Sequence, residues 1–129
     1  MAGWDDVARA CLALPETTEG VSRGWRQWLV RKKSFAWERP LGKKDRAELG
    51  DRAPAATPLA VYVPDEGAKA ALLADEPDLF LTTSHFDGYP IVLCRLERLD
   101  GETLTELVGE SWACRAPARL VAEHRFDGS

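Results

Sequence analysis

The sequence predicts an α+β fold: a single-layer antiparallel sheet of two hairpin-like units, with helices packed on one face. Three observations lead there. Apolar residues recur at helical spacing near both ends of the chain, and short β-branched and aromatic runs lie in pairs between them. The resulting order, α-β-β-β-α-β-β-α-α, mixes hairpins with segregated helices instead of alternating strand and helix, which argues against a doubly wound sheet. At 129 residues, 45% of them hydrophobic, the chain suits one domain that buries about two-thirds of the surface its unfolded form exposes.

The first helix is expected from about Trp4 to Leu14, where Trp4, Val7, Ala8, Cys11, Leu12 and Leu14 fall at helical spacing and Pro15 stops the run. ETTEGVSRG reads as a loop. WRQWLV and SFAWER follow as strands of a first hairpin, separated by Arg31, Lys32 and Lys33. From Pro40 to Pro58 glycine, proline, alanine and charge leave no sustained apolar face, which predicts a long, mobile connection over about 41–57. LAVYV resumes as a strand, and DEGAKAALLAD has the acidic start of a helix. LFLTTS leads into YPIVLCRL through His85 to Gly88, a second hairpin. After Asp100, Leu104, Leu107, Val108 and Trp112 share one helical face, and beyond Pro117 ARLVAEHRF predicts a short terminal helix.

Composition narrows the function classes. Asp5 and Asp6 precede any sustained apolar run, which is not the pattern of a secretory signal, and no window approaches the roughly 20 apolar residues of a membrane span. Cys11, Cys94 and Cys114 are dispersed and odd in number, so they predict small buried hydrophobes of a cytoplasmic protein rather than a disulfide framework or a metal motif.

Charge is distributed unevenly. Residues 22–46 hold nine cations against Glu38 and Asp45, a local +7 that leaves −11 on the rest of a chain whose net charge is −4. A local cationic patch can neutralise phosphates even on an acidic protein. Arg31, Lys32, Lys33, Arg39, Lys43, Lys44 and Arg46 are the candidate phosphate contacts, a solvated turn being the alternative reading of the same cations. Trp28, Phe35 and Trp37 interleave with them. Their burial preference favours the covered face of the sheet over stacking on bases.

His85 beside Asp87 is a candidate base, metal ligand or polar anchor. No nucleophile or second histidine stands at motif spacing, so a structural hydrogen bond at a strand start is expected, with Asp87 and Gly88 supplying the turn.

Four segments, LALPETTEG, KSFAW, DLFLTTSHFDGYPIVLCRL and LTELVGESWACRAPARL, occur in an order that resembles the MmcQ/YjbR family of small bacterial proteins over nearly the whole chain. The resemblance implies a fold similar to the bacterial frataxin CyaY, with a double-wing arrangement of hairpins, and DNA binding as the activity. Lys33 and Phe35 match the family's lysine and aromatic pair in the first hairpin, His85 and Tyr89 its histidine and aromatic pair before the last strand, and Trp112 its tryptophan-rich helix end. GKKDRAELGDRAPAAT is longer than the corresponding turn in many relatives, so the family implies no geometry beyond Arg39. Frataxins are associated with iron at acidic surfaces on the first helix and strand. Here Asp5 and Asp6 are followed by basic strands, so that site is not expected.

The sequence thus leads to a cytoplasmic, non-enzymatic protein that needs no cofactor, metal or membrane and whose partner is DNA, held by the basic hairpin and loop. The alternative is a small-molecule or protein-binding module with a pocket between the sheet and the helix Leu104 to Trp112, near His85, Tyr89 and Trp112.

Overall fold

Apolar runs, unbroken in the central strands, build most of the six strands in the computed structural model, which describes residues 2–128. The strands are β1 (Thr17–Ser22), β2 (Trp25–Val30), β3 (Lys33–Glu38), β4 (Leu59–Tyr62), β5 (Phe80–Leu81) and β6 (Ile91–Cys94). They pair antiparallel throughout, in the order β1-β2-β3-β4-β6-β5. Five helices accompany them: α1 (Trp4–Leu12), α2 (Lys43–Leu49), α3 (Glu66–Asp75), α4 (Gly101–Arg115) and α5 (Ala118–Gly128). The expected α+β fold is the observed one. The side chains of Asp65 and Asp100 accept from Ala68 N at 2.8 Å and Thr103 N at 2.7 Å, capping the starts of α3 and α4.

The strand period of two assigns the two faces of the sheet. On one, Trp28, Phe35, Leu59, Val61, Val92 and Cys94 pack with Val7 and Cys11 of α1 and with Leu104, Val108 and Trp112 of α4. On the other, Ala60, Leu81, Ile91 and Leu93 join Phe86 in a smaller cluster, flanked by Trp37, Leu41, Leu49 and Tyr62. Each large side chain buried this way contributes about 1.5–3 kcal/mol, so a register slip, which would exchange the faces, is strongly disfavoured.

Two segments differ from the sequence reading. ETTEGVSRG, expected as a loop, contains β1. It has no apolar alternation to announce it, because β1 is an edge strand with mostly exposed side chains. It is held by its ladder to β2 and by Glu19, which accepts from Arg26 at 3.1 Å and from the Trp28 indole at 3.0 Å. The segment expected as an irregular connection carries α2 and a single 3-10 turn at Gly50–Arg52. Gly42 N donates to Asp45 Oδ2 at 3.0 Å at the start of α2, Ser84 N donates to Glu48 Oε2 at 2.9 Å, and Leu49 packs on the smaller cluster. The Gly42–Asp45 contact is local, but the tie to Ser84 and the Leu49 packing come from residues remote in sequence, and no apolar stripe signals the helix.

β3 contains a bulge. Gln27 faces Trp37 and Trp28 faces Ala36, but Leu29 faces Ser34, leaving Phe35 as the extra residue. There β3 parts from β4, and Ser111 of α4 fills the gap. Its hydroxyl accepts from Tyr62 N at 2.8 Å and donates to Phe35 O, replacing one rung of the ladder.

Candidate functional site

The cations that adjoin in sequence separate in space. Arg31 and Lys32 form the two-residue tip between β2 and β3, with φ of 46° and 71°, and Lys33 opens β3. The five residue steps from Lys33 to Glu38 span roughly 17 Å. Arg39, Lys43, Lys44 and Arg46 therefore lie beyond the opposite end of the strand from Arg31. The single basic patch read from the sequence is two. Several of its members are also paired. Arg31 is bidentate to Glu16 at 2.8 and 3.0 Å, Arg39 meets Asp45 at 3.4 Å, and Arg46 donates to Pro54 O at 3.3 Å. The Arg31 hydrogen bonds hold the Glu16 carboxyl below the usual carboxylate range.

The alternative pocket does not form, because its three residues diverge. Trp112 is core, its indole donating to Pro15 O at 3.0 Å. Tyr89 is 59% exposed. Its carbonyl and that of Phe86 accept from the buried Lys69 Nζ at 2.8 and 2.7 Å, which pins the turn between β5 and β6. His85 sits on that turn, exposed, against Phe86 and on the far side of the sheet from Trp112. Cys11 and Cys94 are buried as expected, but Cys114 is exposed, because it lies off the apolar stripe of α4.

A concave site does exist, on the sheet face away from α1 and α4. It is an open cleft of about 600 Å³ walled by Trp25, Trp37, Tyr62, Arg23, Arg39 and Arg115, with His85 at its margin. The Trp37 and Tyr62 rings meet at 57° with centroids 5.8 Å apart. The Arg115 guanidinium lies 4.4 Å from the Tyr62 centroid and donates from Nε to Ser34 O at 3.3 Å, where the bulge has turned β3 aside. Arg39 lies 5.3 Å from the Phe86 ring. Two guanidinium groups thus lie within cation–π distance of aromatic rings. Arg26, also in the wall, is bidentate to Glu19, and its hydrogen bonds, reinforced by the Trp28 indole, hold that carboxyl below its usual range. Among the described residues Arg23 and Arg115 have no acidic partner within 4 Å.

The sequence reading missed Arg23, Trp25, Tyr62 and Arg115 as site residues. Arg23 and Gly24, with φ of 54° and 86°, form the two-residue turn between β1 and β2. The R-G dipeptide was a readable signal once β1 was seen as a strand. Arg115 comes from the end of α4, distant in sequence from every other wall residue, and no local pattern could have found it.

Residues 12–114 match the model of the YjbR family. Relatives include uncharacterised proteins of Mycobacterium bovis and Mycobacterium tuberculosis, each 49% identical over 124 residues and covering 94% of both chains. The fold is similar to the crystal structure of a Deinococcus radiodurans protein with the domain DUF419. The TM-score is 0.62 at 21% identity, over 87% of this chain and 77% of that one.

Proposed function

The chain belongs to the YjbR family, and from that premise we propose that it is a cytoplasmic DNA-binding protein without catalytic activity, which holds phosphates on the arginines of the cleft and on Lys43 and Lys44 beside it. One observation carries the reading: among the described residues Arg23 and Arg115 stand without acidic partners next to exposed aromatic surface, in an otherwise acidic protein. Guanidinium groups present planar arrays of N–H donors that suit phosphate oxygens. Lys43 and Lys44 begin α2, three residues beyond Pro40 in the cleft wall, and are exposed.

Two further features support binding over catalysis. The four arginines and two tryptophans of the wall do not exchange protons at neutral pH, and its His85 and Glu38 stand without a nucleophilic thiol in the lining. Burial pushes the Cys11 and Cys94 thiols up to about 12, which removes them as nucleophiles. Free cysteines also suit a reducing compartment.

The test is the salt dependence of binding, read by anisotropy with a labelled duplex. Each phosphate contact contributes about 0.9 to the slope of log affinity against log salt. A triple variant, Arg23→Asn, Lys43→Ala and Lys44→Ala, should flatten the slope by about 2–3. Asn keeps the left-handed turn at position 23 while removing the charge. The pair Lys32→Gly and Lys33→Gln, at the far end of β3, should change it less. Absence of binding at low salt by the folded protein to duplex and single strand alike, or an unaltered slope in the triple variant, would refute the proposal.

A further inference from the structure

We infer that the cleft receives an unpaired nucleobase, so that the preferred partner is single-stranded DNA rather than intact duplex; this rests on the DNA-binding reading above. Flat π surfaces and guanidinium planes occur together here in a recessed site. Trp25 is 41% exposed, although a tryptophan on a sheet is ordinarily covered. Trp37 and Tyr62, tilted at 57° rather than closed into a parallel stack, are half-buried and both line the cleft. Arg115 is fixed on the Tyr62 ring and uses only its Nε–H on protein among the described residues, leaving its terminal N–H groups for acceptors.

The chemistry of the two forms of DNA separates them. In a duplex, neighbouring bases cover both faces of each base. A duplex therefore offers phosphates to Arg23, Lys43 and Lys44 but leaves the aromatic walls in water. Groove reading also needs a projecting helix or ribbon, whereas Trp37 and Tyr62 lie recessed on the sheet. A single strand supplies both elements at once: a base face for the indole and a phosphate for the guanidinium. Such stacking tolerates any base, because every base has a π face.

The experiment compares labelled oligo(dT) of about 15 nucleotides, within the site sizes of single-strand binders, with a duplex of the same length, by anisotropy and tryptophan fluorescence at low salt. Oligo(dT) should bind at least about tenfold more tightly and quench the fluorescence. Trp25→Ala should weaken oligo(dT) binding by about five- to hundredfold, with the salt slope and the duplex affinity unchanged. Trp25 is exposed, so the variant should fold, and its urea midpoint checks that it does. Equal or tighter duplex binding, absence of quenching, or an unaffected Trp25→Ala variant overturns this inference and leaves DNA binding standing. Thymidine monophosphate binding as tightly as oligo(dT) also overturns it, and assigns the cleft to a small anionic ligand. If neither nucleic acid binds, the failure belongs to the proposed function itself.

Discussion

Lys32 holds its backbone at φ 71°, in the left-handed region that costs a side chain with a Cβ roughly 1–2 kcal/mol. Arg31 and Glu16, at φ 46° and 54°, share that conformation and a bidentate ion pair, which offsets part of its cost. Lys32 has no ion pair among the described residues. Lys32→Gly should therefore stabilise the protein by about 0.5–1 kcal/mol once the entropy of glycine is subtracted. The expected result is a higher urea midpoint at unchanged m-value. A lower midpoint would show that the lysine makes a compensating contact.

At the scale of elements, two buried side chains join parts that backbone pairing alone leaves apart. Ser111 bridges β3 and β4 at the bulge and is fully buried. Ser111→Ala would leave Tyr62 N and Phe35 O without partners and should cost about 2–4 kcal/mol by urea denaturation. A loss under about 1 kcal/mol would mean that the strands close directly. Lys69, also buried, reaches from α3 to Phe86 O and Tyr89 O. Lys69→Met keeps the stem volume but removes both charged hydrogen bonds. A cost of about 2–4 kcal/mol is expected, with faster amide exchange over 84–90, the turn that carries His85 to the cleft. Unchanged exchange there would show that Phe86 packing alone holds the turn. The legible elements were those with a covered face: β4 and β6, with their unbroken apolar runs, and α4, with its apolar stripe. β1 and α2 were not, because an exposed edge strand and a short polar helix draw their stability from distant partners.

The whole molecule is electrically lopsided, +7 over residues 22–46 and −11 elsewhere, and several of its carboxylates are tuned by the fold. Arg26 holds Glu19 below its usual range. For Asp45, burial pushes the pKa up, but the Gly42 N–H and the nearby Arg39 outweigh it and the net shift is downward. Glu16, Glu48 and Asp100 are lowered as well, by Arg31, Ser84 and Thr103 respectively. A carboxylate with a depressed folded-state pKa adds stability above its unfolded value of about 4 and loses it as pH falls through the folded value. The melting temperature should therefore hold near neutrality and fall steadily below about pH 4–5. Glu19→Gln should lower it at pH 7 and lessen that fall. A flat profile between pH 6 and 3 would contradict these pairings.

The sequence by itself determined the fold class, the family resemblance, most of the strands and helices, and the uneven charge. Each is written in residues close together along the chain, as apolar period, helix caps and local composition. Only the tertiary structure decided which cations are free and where the concave surface lies. Glu16 pairs with Arg31 across 15 positions, Glu19 engages Arg26 across the β1–β2 hairpin, and among the described residues Arg23 and Arg115 stand without an acidic partner beside Trp25 and Tyr62. Ion pairing and concavity depend on distances of a few ångström between side chains. Those distances are set when the sheet twists, the bulge parts β3 from β4 and α4 brings Arg115 to the gap, none of which has a local signature in the chain.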